Sequence, residues 1–256
     1  MPFLNIDGIN YHYSAVQPEN GEPKQAVVFV HGAGGSHARW GMQVRHLGRD
    51  YLAMAVDLPG HGLSGGSASD SIAGYREFIL SFADRLLGFP FFLAGHSMGG
   101  AVALDFALNY PDRLAGLILL GTGARLRVQP ATLEAFRNGK PPGNMSSFLY
   151  KPGTPENVLK AAEDEVEKTD PAVYYADFQA CDKFDVIQRL GEISVPTLVL
   201  TGDKDLMTPV KYGRFLADNI TGANFEIIEN SGHMLMLEQP GAVNTQLDTF
   251  INQNCG

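Results

Sequence analysis

The chain has 256 residues, of which 45% are hydrophobic and 18% are charged, a balance that supports one large domain with a sizeable core. Its 19 lysines and arginines against 28 aspartates and glutamates give a net charge of −9, which argues against nucleic acid or an anionic membrane surface as a partner. Cys181 and Cys255 are too few for a disulfide framework, so we expect both to be reduced thiols without a catalytic role.

At the N-terminus, no positively charged segment precedes a long apolar run, and no signal peptide is therefore expected. No window reaches the roughly 18 apolar residues of a membrane span, and we expect a cytoplasmic protein without membrane contact. Phe3–Ile6 and Ile9–Tyr13 flank Asp7-Gly8 and are predicted to pair as a hairpin. Such a hairpin would add antiparallel strands at one edge of a sheet.

Apolar runs and helical patterns alternate along most of the remaining chain. Runs without internal alternation are typical of parallel strands covered on both faces. The predicted strands are Gln25–Val30, Tyr51–Val56, Phe91–Ala94, Leu114–Leu120, Thr197–Leu200 and Phe225–Ile228. The predicted helices between and after them are Tyr75–Leu87, Gly99–Leu108, Pro209–Asn219 and Ala242–Asn252. This order predicts an α/β fold, a mostly parallel central sheet with helices on both faces.

The stretch from Arg125 to Glu192 contains no strong strand and breaks this alternation. It is rich in proline and holds only short helical patterns, such as Glu156–Lys168 and Val173–Ala180. We predict that residues 125–192 form a helical lid inserted between two strands, while residues 1–124 and 193–256 form the core. An ordinary long crossover is the alternative.

The most informative motif is G-x-S-x-G at Gly95–Gly99, which lies directly between an apolar strand and a helical pattern. In that context the motif predicts a tight strand-to-helix turn that presents the side chain of Ser97 above the sheet. Both glycines are expected where a side chain would collide with neighbouring strands and helices. Ser97 is therefore the predicted nucleophile, and the amide of Met98 at the start of the helix is free to stabilise an oxyanion.

A serine hydroxyl needs a base, and His233 is the best placed of the seven histidines. It follows the last predicted strand, in a loop at the carboxyl end of the sheet, where α/β enzymes place their sites. His96 adjoins Ser97 and is expected to point away from it. His31 and His61 are expected to stabilise their own loops.

The carboxylate that orients the histidine should lie between serine and histidine in the chain. The loop Thr201–Pro209 follows the fifth main strand and offers Asp203 and Asp205. Asp203 comes directly after Gly202 and is expected to stabilise the turn, whereas Asp205 lies further along and can reach His233. Asp205 is therefore the favoured acid.

A second oxyanion donor is expected in His31–Gly35, which follows the first central strand. The amide of Ala33 is the best candidate, because the flanking glycines let the backbone approach a substrate closely. Gly32 is accordingly included in the predicted substrate-binding surface.

Taken together, these motifs resemble the α/β-hydrolase fold superfamily. The segments HGAGG, DLPGHGLS, GHSMGG, GDKDLMTP and SGHMLMLEQP occur in the order and spacing of that family, over almost the whole chain. The opening MPFLNIDGINYHY and the position of the predicted lid resemble the branch of small bacterial esterases and enol-lactonases. The resemblance implies that the second aspartate of GDKD, Asp205, is the acid and that Ala33 and Met98 are the oxyanion donors.

The nucleophile narrows the chemistry that the resemblance implies. Haloalkane dehalogenases and epoxide hydrolases of this fold use aspartate where this chain has Ser97, so they are disfavoured. We expect a carboxylesterase-like enzyme that cleaves an ester, lactone or thioester of a small to medium, largely apolar molecule through an acyl-enzyme. Carbon–carbon bond hydrolases, cofactor-free perhydrolases and slow-turnover small-molecule receptors of this fold are the alternatives.

Trp40, Met207 and Met234 are further candidates for the substrate pocket, since thioether side chains make an adaptable apolar wall. Ordinary core packing is the alternative for the methionines. The sequence contains no HExxH, no paired CxxC and no GxGxxG after a strand, so no metal or organic cofactor is expected. The expected partner is a small-molecule substrate, bound by a monomer or homodimer.

Overall fold

The computed structural model describes residues 2–20, 22–140, 142 and 145–255. Pro141, Gly143 and Asn144 of the predicted lid, together with Met1, Gly21 and Gly256 of the predicted core, lie outside the described residues. Eight strands form one sheet: β1 (Phe3–Ile6), β2 (Ile9–Val16), β3 (Ala26–Val30), β4 (Leu52–Val56), β5 (Phe91–His96), β6 (Leu114–Leu120), β7 (Thr197–Gly202) and β8 (Asn224–Ile228).

The strand order in the sheet is β1-β2-β4-β3-β5-β6-β7-β8. From β4 to β8 all neighbours are parallel, whereas β2 pairs antiparallel with both β1 and β4. Asp7 and Gly8, with φ of 51° and 89°, make the turn of the N-terminal hairpin. The mostly parallel sheet with an antiparallel edge confirms the fold class predicted from the apolar runs.

Ten α-helices are present in the described residues. They are α1 (Gly41–Leu47), α2 (Ile72–Leu86), α3 (Met98–Asn109), α4 (Pro130–Arg137), α5 (Met145–Leu149), α6 (Glu156–Lys168), α7 (Pro171–Lys183), α8 (Val210–Asn219), α9 (Leu235–Glu238) and α10 (Pro240–Asn254). Within the described part of the chain, no helix combines the length and the apolar character that crossing a membrane requires.

The central strands carry apolar side chains to both faces of the sheet. Along β3, Val28 and Val30 pack into the core that contains α2 and α3, while Val27 and Phe29 pack into the core that contains α1 and α10. This happens because successive side chains of a strand point to opposite faces. Two buried cores therefore explain why these strands read as uninterrupted apolar runs.

The chain between β6 and β7 holds helices α4 to α7, which we call the helical insertion (residues 125–192). An antiparallel bridge joins Arg125, at its beginning, to Asp185, which follows α7. Helix α7 begins where the side chain of Asp170 accepts a hydrogen bond from the amide of Ala172 at 2.8 Å, with Pro171 in the first turn. Helices α4 and α7 pack together, and a small apolar cluster joins Phe136 of α4 and Val166 of α6 to Tyr174 and Phe178 of α7.

Candidate active site

Ser97 lies between β5 and α3 in a backbone conformation that few residues adopt. Its φ is 54° and its ψ is −116°, well outside the usual regions for a residue with a side chain. The surrounding chain holds it there. Its amide donates to the carbonyl of Leu120 at 3.0 Å, and its carbonyl accepts from the hydroxyl of Thr122 at 2.8 Å. Such a turn directs the serine side chain out of the sheet.

The two glycines of the motif are required by close backbone approaches. A Cβ on Gly95 would lie 2.0 Å from the carbonyl oxygen of Gly99. A Cβ on Gly99 would lie 2.3 Å from the carbonyl oxygen of Val30 in β3. Both contacts are with backbone atoms that cannot rotate away. The sequence pattern therefore reflects how closely α3 crosses β5 and β3.

His233 and Asp205 form a buried pair at the carboxyl end of the sheet. Nδ1 of His233 lies 2.9 Å from Oδ2 of Asp205, and their side chains are 3% and 0% exposed. The hydroxyl of Thr208 donates to the same Oδ2 at 2.8 Å, and the amides of Met207 and Thr208 donate to Oδ1, each at 2.8 Å. These contacts engage Nδ1 of the imidazole and leave Nε2 as the nitrogen that can accept a proton from a nucleophile.

The surroundings of Asp205 favour its ionised form. Burial by itself would raise the pKa of this carboxyl, but the charge and hydrogen bond of His233, together with two hydrogen bonds from Thr208, outweigh burial and lower the pKa to about 2. Asp205 is therefore a carboxylate over the whole neutral range. It can hold the imidazole in one tautomer and stabilise the imidazolium.

We expect Asp205 to contribute to stability only while it is ionised. Because its folded-state pKa of about 2 lies below its ordinary value of 3.8, the contribution is present above pH 4 and is lost as the pH falls towards 2. Asp205→Asn removes it at every pH. We expect the wild type to lose stability relative to this variant as the pH is lowered. The difference between their free energies of unfolding, measured by urea unfolding, should decrease by about 2 kcal/mol from pH 5 to pH 2. A difference that does not change with pH would contradict this.

Asp203, the competing acid of the same loop, has a different place. Its Oδ1 accepts a hydrogen bond from the amide of Ser231 at 3.1 Å. It therefore ties the loop after β7 to the loop that carries His233. Of the two aspartates, Asp205 is the one that contacts the imidazole.

The side chain of His96, which is predicted to point away from Ser97, contacts His233. Its Nε2 lies 2.9 Å from the carbonyl oxygen of His233, and the two ring centroids are 4.6 Å apart. Burial, reinforced by the nearby His233, lowers the pKa of His96 well below its ordinary value. A neutral His96 can thus donate to the His233 carbonyl and fix the position of that loop. Its adjacency to Ser97 was the only signal in the sequence.

Ser97 and His233 face one small cavity of about 50 Å³. The cavity also has Gly32, Ala33, Gly35, Arg39, His96, Met145, Leu149, Tyr174, Phe178, Met207 and Met234 in its walls. Within the described part of the chain, no hydrogen bond joins the hydroxyl of Ser97 to the ring of His233. Such contacts are often loose before a substrate binds.

Ala33, in the loop after β3, lies in the wall of this cavity. The carbonyl of Gly32 accepts from Nδ1 of His31 at 2.8 Å and from the amide of Gly35 at 3.1 Å. Since the carbonyl and the N–H of a trans peptide point in opposite directions, the Ala33 amide faces away from both donors. Among the described residues, no acceptor takes the proton of this amide or of the Met98 amide.

His31 acts in this loop as a neutral ring. Its Nε2 accepts a hydrogen bond from the amide of Leu58 at 3.1 Å, so the proton is on Nδ1. Burial, and then the charge of nearby His61, lower the pKa of His31 to about 3. The ring therefore connects the loop after β3 to the loop after β4 without carrying charge.

Some of the remaining predicted site residues lie in the cavity wall, and others are buried in the hydrophobic core. Met207 and Met234 are in the cavity wall, and Gly32 lies so close that a Cβ on it would be 3.1 Å from Cβ of Ser97. The side chain of Met98 is fully buried in the core, although its amide is at the first turn of α3. Trp40 is also fully buried, packed on Phe29 with ring centroids 4.8 Å apart, and it does not reach the cavity.

A second, larger chamber of about 640 Å³ lies between the helical insertion and the loop after β7. Its walls are mainly apolar. They share four residues with the small cavity, namely Met145, Leu149, Phe178 and Met207. The two spaces therefore adjoin each other beneath the insertion.

Among the described residues, one group has the residue types and spacing of a possible metal site. It consists of His12, His37 and Asp57, whose potential ligand atoms lie within 4.8 Å of one another. The carboxylate of Asp57 already accepts from Nδ1 of His12 at 2.8 Å and from Nδ1 of His37 at 2.9 Å. The amides of His37 and Leu63 add two more hydrogen bonds, at 2.6 and 3.0 Å. This cluster is a hydrogen-bonded support for the loop after β4.

A comparison with known protein families agrees with the fold and with the arrangement of the site. Residues 27–246 match the model of the alpha/beta hydrolase family. The chain therefore belongs to the α/β-hydrolase family.

Curated relatives and a solved structure resemble nearly the whole chain. The chain is 29% identical to 3-oxoadipate enol-lactonase 1 of Acinetobacter baylyi, over 88% of both proteins. It is 28% identical to a 2-hydroxy-6-oxononadienedioate/2-hydroxy-6-oxononatrienedioate hydrolase of Klebsiella pneumoniae, covering 97% of this chain and 94% of that one. A thermophilic esterase superposes with a TM-score of 0.86 at 29% identity, covering 99% and 97% of the two chains.

Proposed function

We propose that this protein is a serine hydrolase that cleaves the carboxylic ester, lactone or thioester of a small to medium, largely apolar substrate through an acyl-enzyme intermediate. One observation carries the proposal. The strained Ser97 shares a cavity with His233, and a buried, ionised Asp205 holds Nδ1 of that imidazole. A nucleophile, a base and an orienting acid in this arrangement are what acyl transfer requires.

In the proposed mechanism, Nε2 of His233 removes the proton of Ser97 as the serine oxygen attacks the substrate carbonyl. The amides of Ala33 and Met98 stabilise the oxyanion, each by about 3–4 kcal/mol in the transition state. His233 then gives the proton to the leaving group, and the acyl-enzyme remains. A water molecule that loses its proton to His233 hydrolyses the acyl-enzyme and regenerates Ser97. Asp205 stays ionised throughout.

The helical insertion is proposed to serve as the lid, and the chamber beneath it as the site of the apolar part of the substrate. The chamber of about 640 Å³ adjoins the small cavity through Met145, Leu149, Phe178 and Met207. Its volume falls within the range of sites for small molecules. Mainly apolar walls would favour an aliphatic or aromatic group over a polar polymer.

Hydrolysis of p-nitrophenyl acetate, butyrate and octanoate by the wild type and by Ser97→Ala tests the proposal. We expect the wild type to turn over these esters, with kcat/KM rising towards the longer chains that reach the chamber. Ser97→Ala should lose at least about 10⁴-fold in kcat/KM. Ser64→Ala is a matched control, because the hydroxyl of Ser64 donates to the backbone of Asp57, away from the cavity.

Two results of this experiment would contradict the proposal. Equal activity of the wild type and Ser97→Ala, or no activity in either, would contradict hydrolysis of such esters by Ser97. It would favour the small-molecule receptor or the carbon–carbon bond hydrolase.

Carbon–carbon bond hydrolysis is the second candidate, because one relative is named for a 2-hydroxy-6-oxo dienedioate, which contains no ester. The same serine, histidine and oxyanion donors would act on a ketone whose leaving group is a stabilised carbanion. Turnover of a 2-hydroxy-6-oxo dienoate at a kcat/KM above that of every p-nitrophenyl ester would favour this second candidate.

A further inference from the structure

Asp177 is a fully buried carboxylate that the proposed mechanism does not use. It lies in α7 of the helical insertion and contacts three separate parts of the core. Its Oδ2 accepts from the amide of Gly34 at 2.7 Å and from Nε2 of His61 at 2.8 Å, while its Oδ1 accepts from the hydroxyl of Tyr75. A buried carboxylate with three donors is a specific arrangement, since a buried charge without partners strongly destabilises a fold.

The contacts of His61 favour a protonated, positively charged ring. Nε2 faces the carboxylate of Asp177, and Nδ1 lies 3.0 Å from the carbonyl oxygen of Pro59. Both partners only accept hydrogen bonds, so both ring nitrogens must donate. Burial by itself would lower the pKa of His61, but the hydrogen bond and charge of Asp177 outweigh burial and raise it.

The other ionisable groups around His61 are consistent with this charge. Tyr75 of α2 donates its hydroxyl to Asp177, and His31 of the loop after β3 is neutral. Asp57 of the loop after β4 lies far enough away to act only through its charge, which favours the protonated ring. His61 and Asp177 therefore form a buried ion pair between the core and the helical insertion.

Through Gly34, this ion pair reaches the loop after β3 (His31–Gly35), which we call the oxyanion loop because it carries Ala33. Gly34 follows Ala33 and has a φ of 61°, within the turn closed by the hydrogen bond between Gly35 and Gly32. Its amide donates to Asp177, and its carbonyl accepts from the hydroxyl of Thr169 at 3.3 Å. The helical insertion therefore contacts both the amide and the carbonyl of Gly34, while His31 and the amide of Gly35 hold the carbonyl of Gly32.

We infer that Asp177 is a positioning residue for the oxyanion hole. Its carboxylate, neutralised by the His61 imidazolium, fixes the amide of Gly34 and thereby aims the amide of Ala33 at the developing oxyanion. The inference rests on the proposed function of Ser97. It adds that the helical insertion completes the oxyanion hole, so that an insertion lifted from the core leaves the hole misaligned.

Two substitutions of Asp177 separate positioning from folding. Asp177→Asn keeps an acceptor for the Gly34 amide but removes the charge, whereas Asp177→Ala removes both. We expect kcat for p-nitrophenyl butyrate to fall by about 10-fold in Asp177→Asn and about 100-fold in Asp177→Ala, with KM changed by less than about twofold. Affinity for phenylboronic acid, whose tetrahedral adduct presents an oxygen to the hole, should fall in parallel with kcat.

Asp182→Asn is the matched control on the same helix. Its carboxylate accepts from the amide of Val128 at 3.0 Å, inside the helical insertion and away from the oxyanion loop. It should leave kcat and boronate affinity within about twofold of the wild type. A fall in kcat as large as that of Asp177→Asn would show that general loosening of the insertion is the cause, and would overturn the inference.

A measurement that needs no turnover completes the experiment. The NMR titration of the His61 ring should show a lower pKa in Asp177→Asn than in the wild type, and the Gly34 amide proton should move upfield. An unmoved His61 titration would overturn the inference whatever the activity. If both NMR signals shift but kcat and boronate affinity do not, positioning is also overturned. Failure of the proposed function gives a separate signature, namely no difference between wild type and Ser97→Ala.

Discussion

His233→Ala should lower kcat/KM for p-nitrophenyl esters by about 10⁴- to 10⁶-fold while leaving the fold intact. Without the imidazole, Ser97 loses the base that the proposal assigns to it, and a serine hydroxyl is a weak nucleophile at neutral pH. Asp205 would then be buried without its basic partner, so some loss of stability should accompany the loss of activity. Steady-state hydrolysis and thermal unfolding of the purified variant measure both effects.

His46→Ala is the matched control for that substitution. His46 lies in α1, where its Nε2 contacts Oδ2 of Asp248 at 2.6 Å, and both side chains are partly exposed. Its removal should change kcat/KM by less than about twofold. His233→Ala that keeps more than about a hundredth of wild-type activity would contradict the role of His233 as the base.

Gly95→Ala is expected to destabilise the folded state by at least about 3 kcal/mol, the upper end for forcing one methyl group into a packed site. The added Cβ would lie 2.0 Å from the carbonyl oxygen of Gly99 and 2.6 Å from the amide nitrogen of Gly100. Because all these contacts are with the first turn of α3, the helix must shift away from β5. The turn that carries Ser97, the elbow between β5 and α3, would move with the helix, and activity should be lost together with stability.

Gly241→Ala provides the comparison. Gly241 lies in α10, and an added Cβ there would meet no atom within 4 Å. Alanine in a helix should be neutral or should stabilise by up to about 1 kcal/mol. Urea unfolding of both variants tests the argument. A Gly95→Ala variant as stable as Gly241→Ala would show that the backbone around the elbow adapts without cost.

Local patterns in the sequence were enough to predict the fold class. The parallel strands read as uninterrupted apolar runs because Val27 and Val28, for example, enter different cores. The same holds for the turn at Ser97, since the close approach of α3 permits only glycine at Gly95 and Gly99. In both cases the constraint fixes residue types at adjacent or closely spaced positions, so a short stretch of sequence records it, even though the contacting atoms of Val30 lie far away in the chain.

Contacts between distant segments left no such pattern. Gly34 and Asp177 are separated by 143 positions, and no spacing in the sequence joins them. Trp40 was predicted at the pocket, yet it is fully buried against Phe29. A large aromatic side chain beside a motif fits either place, and only the packing of α1 and β3 decides between them.

The places of the methionines near the motifs were likewise not determined by the sequence pattern. Met207 and Met234 are in the cavity wall, whereas Met98 and Met236 are fully buried in the cores. All four occupy similar positions relative to the motif loops. Which side of a loop a side chain faces depends on turn geometry, which composition and periodicity do not encode.

The central claim is that Ser97 forms a covalent bond to the substrate, and covalent trapping tests it most directly. Diethyl p-nitrophenyl phosphate, with intact-protein and peptide mass spectrometry, is the appropriate reagent. The account predicts loss of p-nitrophenolate, addition of one diethylphosphoryl group to the peptide that contains Ser97, and loss of esterase activity in proportion. Ser97→Ala should remain unmodified. A wild-type protein that hydrolyses esters but stays unmodified, or is modified at another residue, would contradict the account.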